Sequence, residues 1–186
     1  MKYISIGAVM EEGTEHILDV CRGGHKFRLT GDQAALWLNG RWSFASAEKP
    51  TDIKTLNQLV KMGLVITADG SMAEEYRVLT QCTLVPADCK FPYWGLRNTE
   101  RTVLQWLREA GLVLSMAELT FLMDRKIELQ DNLLGSGNAQ ALVETIYTRE
   151  TISDNILENQ MEYAALREQT VKAVLILLKK KRIVLL

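Results

Sequence analysis

Thr170-Val171-Lys172-Ala173-Val174-Leu175-Ile176-Leu177-Leu178-Lys179-Lys180-Lys181-Arg182-Ile183-Val184 is the stretch on which the fold turns. It opens with apolar residues at helical spacing, runs into four consecutive cations, and leaves in β-branched residues. The order predicts a helix ending at about Lys181, where cations complement the negative end of the helix dipole, and a short strand over Arg182 to Leu186. Upstream, Leu157, Met161, Ala164, Glu168, Val171, Leu175 and Leu178 alternate four-three, a heptad seam with one polar member. The seam belongs either to one long C-terminal helix, capped by Thr151-x-x-Asp154, or to two helices meeting near Arg167 to Thr170. It has to bury against another helix, within the chain or across a homodimer, and the length of a single helix points to the homodimer.

Working back, Asn98-Thr99-Glu100 opens a helix with Val103, Leu104 and Leu107 on one face, ending at Gly111. Leu112 to Leu114 is a strand candidate. Ser115-Met116-Ala117-Glu118 fits a capping box and starts a helix with Leu119, Leu122 and Met123 on its inner stripe. Leu134 to Gly137 reads as a turn and Asn138 to Tyr147 as a further helix. Residues 71–97 form a joint, with Tyr76 to Val85 extended and Pro86 and Pro92 marking an edge strand.

The first 70 residues mix strands and helices. Tyr3 to Ile6 is a strand. His16 to Cys21 and Lys26 to Leu29 pair as a hairpin across Arg22-Gly23-Gly24-His25. A helix over Gln33 to Leu38 stops at Asn39-Gly40, and Arg41 to Ala47 is a possible strand. Thr51 caps a second helix with Leu56, Leu59 and Val60 on its buried face; Gly63 ends it, and Leu64 to Thr67 is a strand. The class is therefore α+β: a unit over 1–70, a joint over 71–97 and a mostly helical unit over 98–186.

The helices Thr99 to Gly111, Ser115 to Asp124 and Gln169 to Lys181, with the strand Arg182 to Leu186, resemble the three helices and wing of a winged helix-turn-helix domain. The resemblance carries an insertion from Arg125 to Tyr163, where that family has a short turn. The hairpin, Leu29-Thr30-Gly31-Asp32-Gln33-Ala34-Ala35-Leu36-Trp37 and Leu56-Asn57-Gln58-Leu59-Val60-Lys61-Met62-Gly63-Leu64-Val65 are similar to the small peptide-recognition winged helices of ribosomal-peptide maturation systems. The first resemblance implies DNA binding, and the second a peptide partner.

The chain has 186 residues, 47% of them apolar and 24% charged, with a net charge of −1, which excludes disorder and a uniformly basic coat. Charge is instead segregated. Residues 99–166 hold 5 basic and 11 acidic side chains, and residues 167–186 hold 6 and 1. Lys172, Lys179, Lys180, Lys181 and Arg182 are therefore the candidate DNA contacts, since phosphate neutralisation supplies most non-specific affinity. The same cations also suit a helix C-terminus, or pairing with acids such as Glu128, Asp131 or Glu144. Trp94, with Phe91 and Tyr93, is either packing between the units or an exposed anchor.

Other chemistries find little in the sequence. Cys21, Cys82 and Cys89 form no disulfide framework, and with His16 and His25 they lack the close pairs of structural zinc. No GxSxG, P-loop or GxGxxG pattern occurs, so no enzyme, cofactor or metal is expected. No signal peptide or membrane span is read, which points to the cytoplasm. The expected function is a non-enzymatic DNA-associated protein, a bacterial-type transcriptional regulator; the alternative is an adaptor taking a peptide or protein on the sheet edge of the first unit.

Overall fold

A computed structural model describes residues 1–12, 17–135, 138–148, 151 and 156–186. It is an α+β structure. Strand β1 (Lys2–Ser5) is followed by the meander β2 (Ala8–Glu12), β3 (Ile17–Arg22) and β4 (His25–Thr30). The expected hairpin turn is present: Gly23 and Gly24 take φ of +56° and +80°, values that disfavour side chains with a Cβ. Val20 faces Phe27 and Leu18 faces Leu29 on the inner side of the hairpin. On the other side Asp19, only 5% exposed, lies under Arg28 and Lys26, at 2.9 and 3.4 Å. The Arg28 hydrogen bonds, aided by Lys26, hold its carboxyl at about 2, below the ordinary 3.8.

Helices α1 (Asp32–Asn39) and α2 (Pro50–Lys61) flank the short strand β5 (Ala45–Ser46), and β6 (Val65–Ala68) follows. Lys49, not Thr51, is the N-cap of α2, because Pro50 takes the first helical position, where its missing N–H is no loss. Leu56 and Leu59 are buried as expected, while Val60 turns outward. Strand β1 lies between β5 and β6, antiparallel to both. Its residues alternate between two cores. Tyr3 joins Leu18, Val20, Leu29, Trp37, Leu56 and Leu59; Ile4, followed by Ile6 just past the strand, joins the apolar side chains of the second half.

The stretch read as an extended joint differs. Residues Met72–Thr80 form helix α3, and only Leu84–Pro86 is a strand, β7. Ser71 accepts a hydrogen bond from the Glu74 N–H as N-cap, which offsets the β-branched and aromatic content of the segment. Tyr76, Val78, Leu79, Cys82 and Leu84 are all buried. Lys2 bonds Glu75 at 2.6 Å and so ties α3 to β1.

Helices α4 (Asn98–Glu109), α5 (Met116–Asp124) and α6 (Ala139–Ile146) lie close to the expected ranges. The Ser115–Glu118 capping box forms with both of its bonds. Leu112 to Leu114 is irregular instead of a strand. The Thr151 hydroxyl bonds the Ile146 carbonyl, closing the end of α6; Asp154, Ser136 and Gly137 lie outside the described residues.

The single long C-terminal helix is not formed. There are two, α7 (Ile156–Glu162) and α8 (Arg167–Lys179). One tertiary and one local bond stabilise the break in a stretch rich in helix formers. The Asp124 carboxylate, at the end of α5, accepts from the Leu166 N–H at 3.1 Å, and the Arg167 guanidinium donates to the Glu162 carbonyl. Leu157, Met161, Val171 and Leu178 are buried in their own chain, where α8 packs against α3, α4 and α5. The partner that the seam needs at these four positions is thus supplied within the chain. Strand β8 (Ile183–Leu185) pairs antiparallel with β7, and the Gly7 N–H donates to the Leu185 carbonyl at 2.8 Å.

Two outcomes are expected. Ile4→Ala removes a fully buried side chain from the shared strand and should cost about 2–5 kcal/mol. Calorimetry should show the whole chain melting in one transition at a lower temperature; two separated transitions would contradict a shared wall. Asp19 has a lowered pKa in the folded state, so its contribution is complete above the ordinary carboxyl range and disappears as pH falls from about 4 to about 2. The stability gap between wild type and Asp19→Asn, followed by urea titration, should close over that window.

Candidate functional site

The basic residues gather where α8 ends. The Lys181 N–H donates to the Leu178 carbonyl and the Arg182 N–H to the Leu177 carbonyl, at 2.9 and 2.8 Å, a Schellman-type stop. Lys181 occupies the left-handed position of that stop, φ +57°, where glycine is usual. Its ammonium lies 5.6 Å from the centre of the Trp42 ring, a cation–π contact that offsets part of the strain. The turn thus sends Lys181 to Trp42, while Lys180 and Arg182 on either side reach one loop.

Each candidate contact has a definite place. Lys180 donates to the Gly95 carbonyl at 2.7 Å and to Glu100 at 3.2 Å. Glu100 is 4% exposed, and the same oxygen accepts from the Arg97 N–H at the start of α4. Lys180 is thus a structural cation, and its acid is Glu100 instead of Glu128, Asp131 or Glu144. Arg182 reaches the Trp94 carbonyl at 3.5 Å. Lys179 stands exposed on the last turn of α8. Lys172 is exposed and pairs loosely with Glu168, at 3.7 Å. Lys172 and Lys179 are seven residues apart, on one face of α8 and about 10 Å apart along it. Between α8 and the start of α4 runs a shallow groove of about 230 Å³, lined by Arg97, Thr99, Glu100, Gln169, Lys172 and Ile176.

The loop that Lys180 and Arg182 hold contains residues that charge counting alone does not mark as a site. Phe91 and Trp94 are 67% and 78% exposed. They bracket a turn in which the Trp94 N–H bonds the Phe91 carbonyl at 3.3 Å. The flanking residues are anchored: Leu96 is buried, and the Tyr93 hydroxyl donates to Glu109 at 2.8 Å. Burial and Glu109 push that phenol up to about 12. The Trp94 signal in the sequence is its place in a Pro- and Gly-flanked aromatic cluster.

The thiols and histidines are dispersed. Cys82 is buried, and burial pushes its thiol up to about 12, far from the thiolate a nucleophile needs. Cys21 is half-buried beside the hairpin turn and His25 is exposed on it; His16 lies outside the described residues. Among the described residues no three His, Cys, Asp or Glu side chains converge on a metal-sized site. No helix among them is long and apolar enough to cross a membrane.

The Lys180 and Lys179 side chains make a controlled comparison. Lys180→Gln strands the buried Glu100 carboxylate and should cost about 1–3 kcal/mol, lowering the melting temperature by about 2–10 °C. Lys179→Gln should leave it nearly unchanged. Equal effects in thermal melts would contradict the structural role of Lys180.

No protein-family model matches the chain, no curated protein sequence matches it, and no solved structure matches its fold.

Proposed function

We propose that this chain is a non-enzymatic DNA-associated protein of the bacterial regulator type, acting in the cytoplasm, with the basic turn after α8 as its contact surface. The observation that carries the reading is the left-handed turn after α8, where Lys181 lies over the Trp42 ring, Arg182 reaches the Trp94 carbonyl and Lys179 stands exposed just before it. Cations with aromatic rings among them suit a polyanion whose bases also offer flat faces. Lys172 and Arg97, along the groove between α8 and α4, extend the cationic track. In this reading α4, α5 and α8 with β8 are the three helices and wing of a winged-helix variant, and α6 and α7 are its insertion. The three unpaired thiols suit a reducing compartment.

The adaptor reading rests on β4, an outer strand of the β2-β3-β4 sheet. Lys26 and Arg28 on that strand are of the kind that blunts an edge against added strands. The basic turn is therefore the stronger basis.

The test spares Lys180 and Arg182, whose hydrogen bonds hold the Trp94 loop. In Lys172→Gln/Lys179→Gln/Lys181→Gln, DNA affinity should fall alike across sequences. The slope of log affinity against log salt should flatten by about 2–3 units, at about 0.9 for each phosphate no longer neutralised. Binding by the wild type with no salt dependence, or an unchanged slope in the variant, would overturn the reading.

A further inference from the structure

Trp94 is exposed in a loop that is otherwise tightly held. Its own carbonyl accepts from Arg182 and the next carbonyl, of Gly95, from Lys180. Tyr93 and Leu96 on either side are tied to the second half, one through Glu109 and one by burial. Gly95 takes φ +71° with open space around it, which completes the reversal. A flexible loop would fold so large an apolar ring against the surface, because covering it is favourable. Here the backbone is fixed from both sides and the ring stays 78% uncovered. Phe91, three residues earlier across the same turn, is 67% uncovered, with the Lys90 ammonium 6.0 Å from its centre. The result is two aromatic faces held in advance of any ligand, with Lys90 beside Phe91 and Arg182 at the Trp94 carbonyl.

We infer that this surface takes single-stranded nucleic acid, with an unpaired base stacked on Trp94, a second site of stacking at Phe91, and the strand's phosphates on the neighbouring cations. The inference rests on the DNA reading above and narrows it. In a duplex the base faces are covered by their neighbours, so an exposed ring finds no partner there. In a single strand every base offers a π-face, and stacking on an aromatic side chain is tolerant of sequence. The surrounding cations favour an anionic ligand over a neutral apolar one.

The experiment compares an oligothymidylate with a blunt-ended hairpin duplex of mixed sequence at equal salt, for wild type, Trp94→Ala, Trp94→Phe and the triple Lys→Gln variant. Wild type should prefer the single strand. Trp94→Ala should weaken single-strand binding about tenfold, within the range for loss of one stacked base, and leave the duplex nearly unchanged. Trp94→Phe should restore most of the affinity while losing the share of tryptophan quenching that Trp94 contributes, because Trp37 and Trp106 are buried and Trp42 is half-buried beneath Lys181. Melting temperatures should be alike for all three Trp94 forms, because the ring makes no core contact. If both nucleic acids bind with a salt slope that the triple variant flattens, yet Trp94→Ala affects neither, the single-strand inference falls and the DNA reading stands. If neither binds with a salt slope, both fall. If polyglutamate binds in a Trp94-dependent way and the oligothymidylate does not, the ligand is an acidic peptide and the inference falls.

Discussion

Strand β1 is buried on both faces, and most of the architecture depends on that. Tyr3, Ile4 and Ser5 are buried at successive positions along it, and Ile6 is buried just past its end. A strand so placed also needs partners on both edges, and β5 and β6 provide them. The first half packs α1, α2 and the meander on the Tyr3 side. The second half packs on the Ile4 and Ile6 side. The close approach of Gly40 to Tyr3 and Ser5 belongs to the same constraint: a Cβ there would lie 2.6 Å from both side chains. Lys2, at the end of the strand, carries its charge across to the nearly buried Glu75 of α3.

The surface proposed to bind nucleic acid follows from how α8 is packed. Val171, Val174, Leu177 and Leu178 are fully buried, which commits most of the helix to α3, α4 and α5. Its polar strip, with Lys172 and Lys179, is what remains outside. The helix must then stop so that Ile183 and Leu185 can return to the core beside β7. A left-handed residue makes that reversal. A lysine holds the place that glycine would fill with less strain, and it rests on Trp42. The loop bearing Trp94 is fixed by the residues before and after that lysine, Lys180 through Gly95 and Glu100 and Arg182 through Trp94. Core packing, helix termination and aromatic display are thus one connected set of contacts.

Elements governed by local rules are legible from the residues that enforce them. The glycine pair of the hairpin, the Ser115–Glu118 box and the start of α4 can be read from sequence because each acts over a few residues. Helix α3 escapes such a reading although a signal is present: Ser71 with Glu74 three residues on marks a helix start. The number of β-branched and aromatic residues obscures it, and those residues are tolerated because Tyr76, Val78 and Leu79 gain burial. The basic cluster of the site is legible as charge. Its division of labour is not, since neither Glu100 nor Trp42 is near it in sequence.

The sequence by itself determined the α+β class, most helix and strand positions, and the concentration of cations at the end of α8, because periodicity, capping and charge are local properties. Tertiary structure alone decided three matters. It divided the C-terminal helix in two, since the bond from the Leu166 N–H to Asp124 spans 42 positions. It turned the heptad seam inward, because the chain supplies its own partners in α3, α4 and α5. It made Lys180 a structural cation and left Trp94 exposed, because both depend on where α4 and the loop before it come to rest against α8. Such long-range pairings follow from the whole packed core, and no short window of residues contains them.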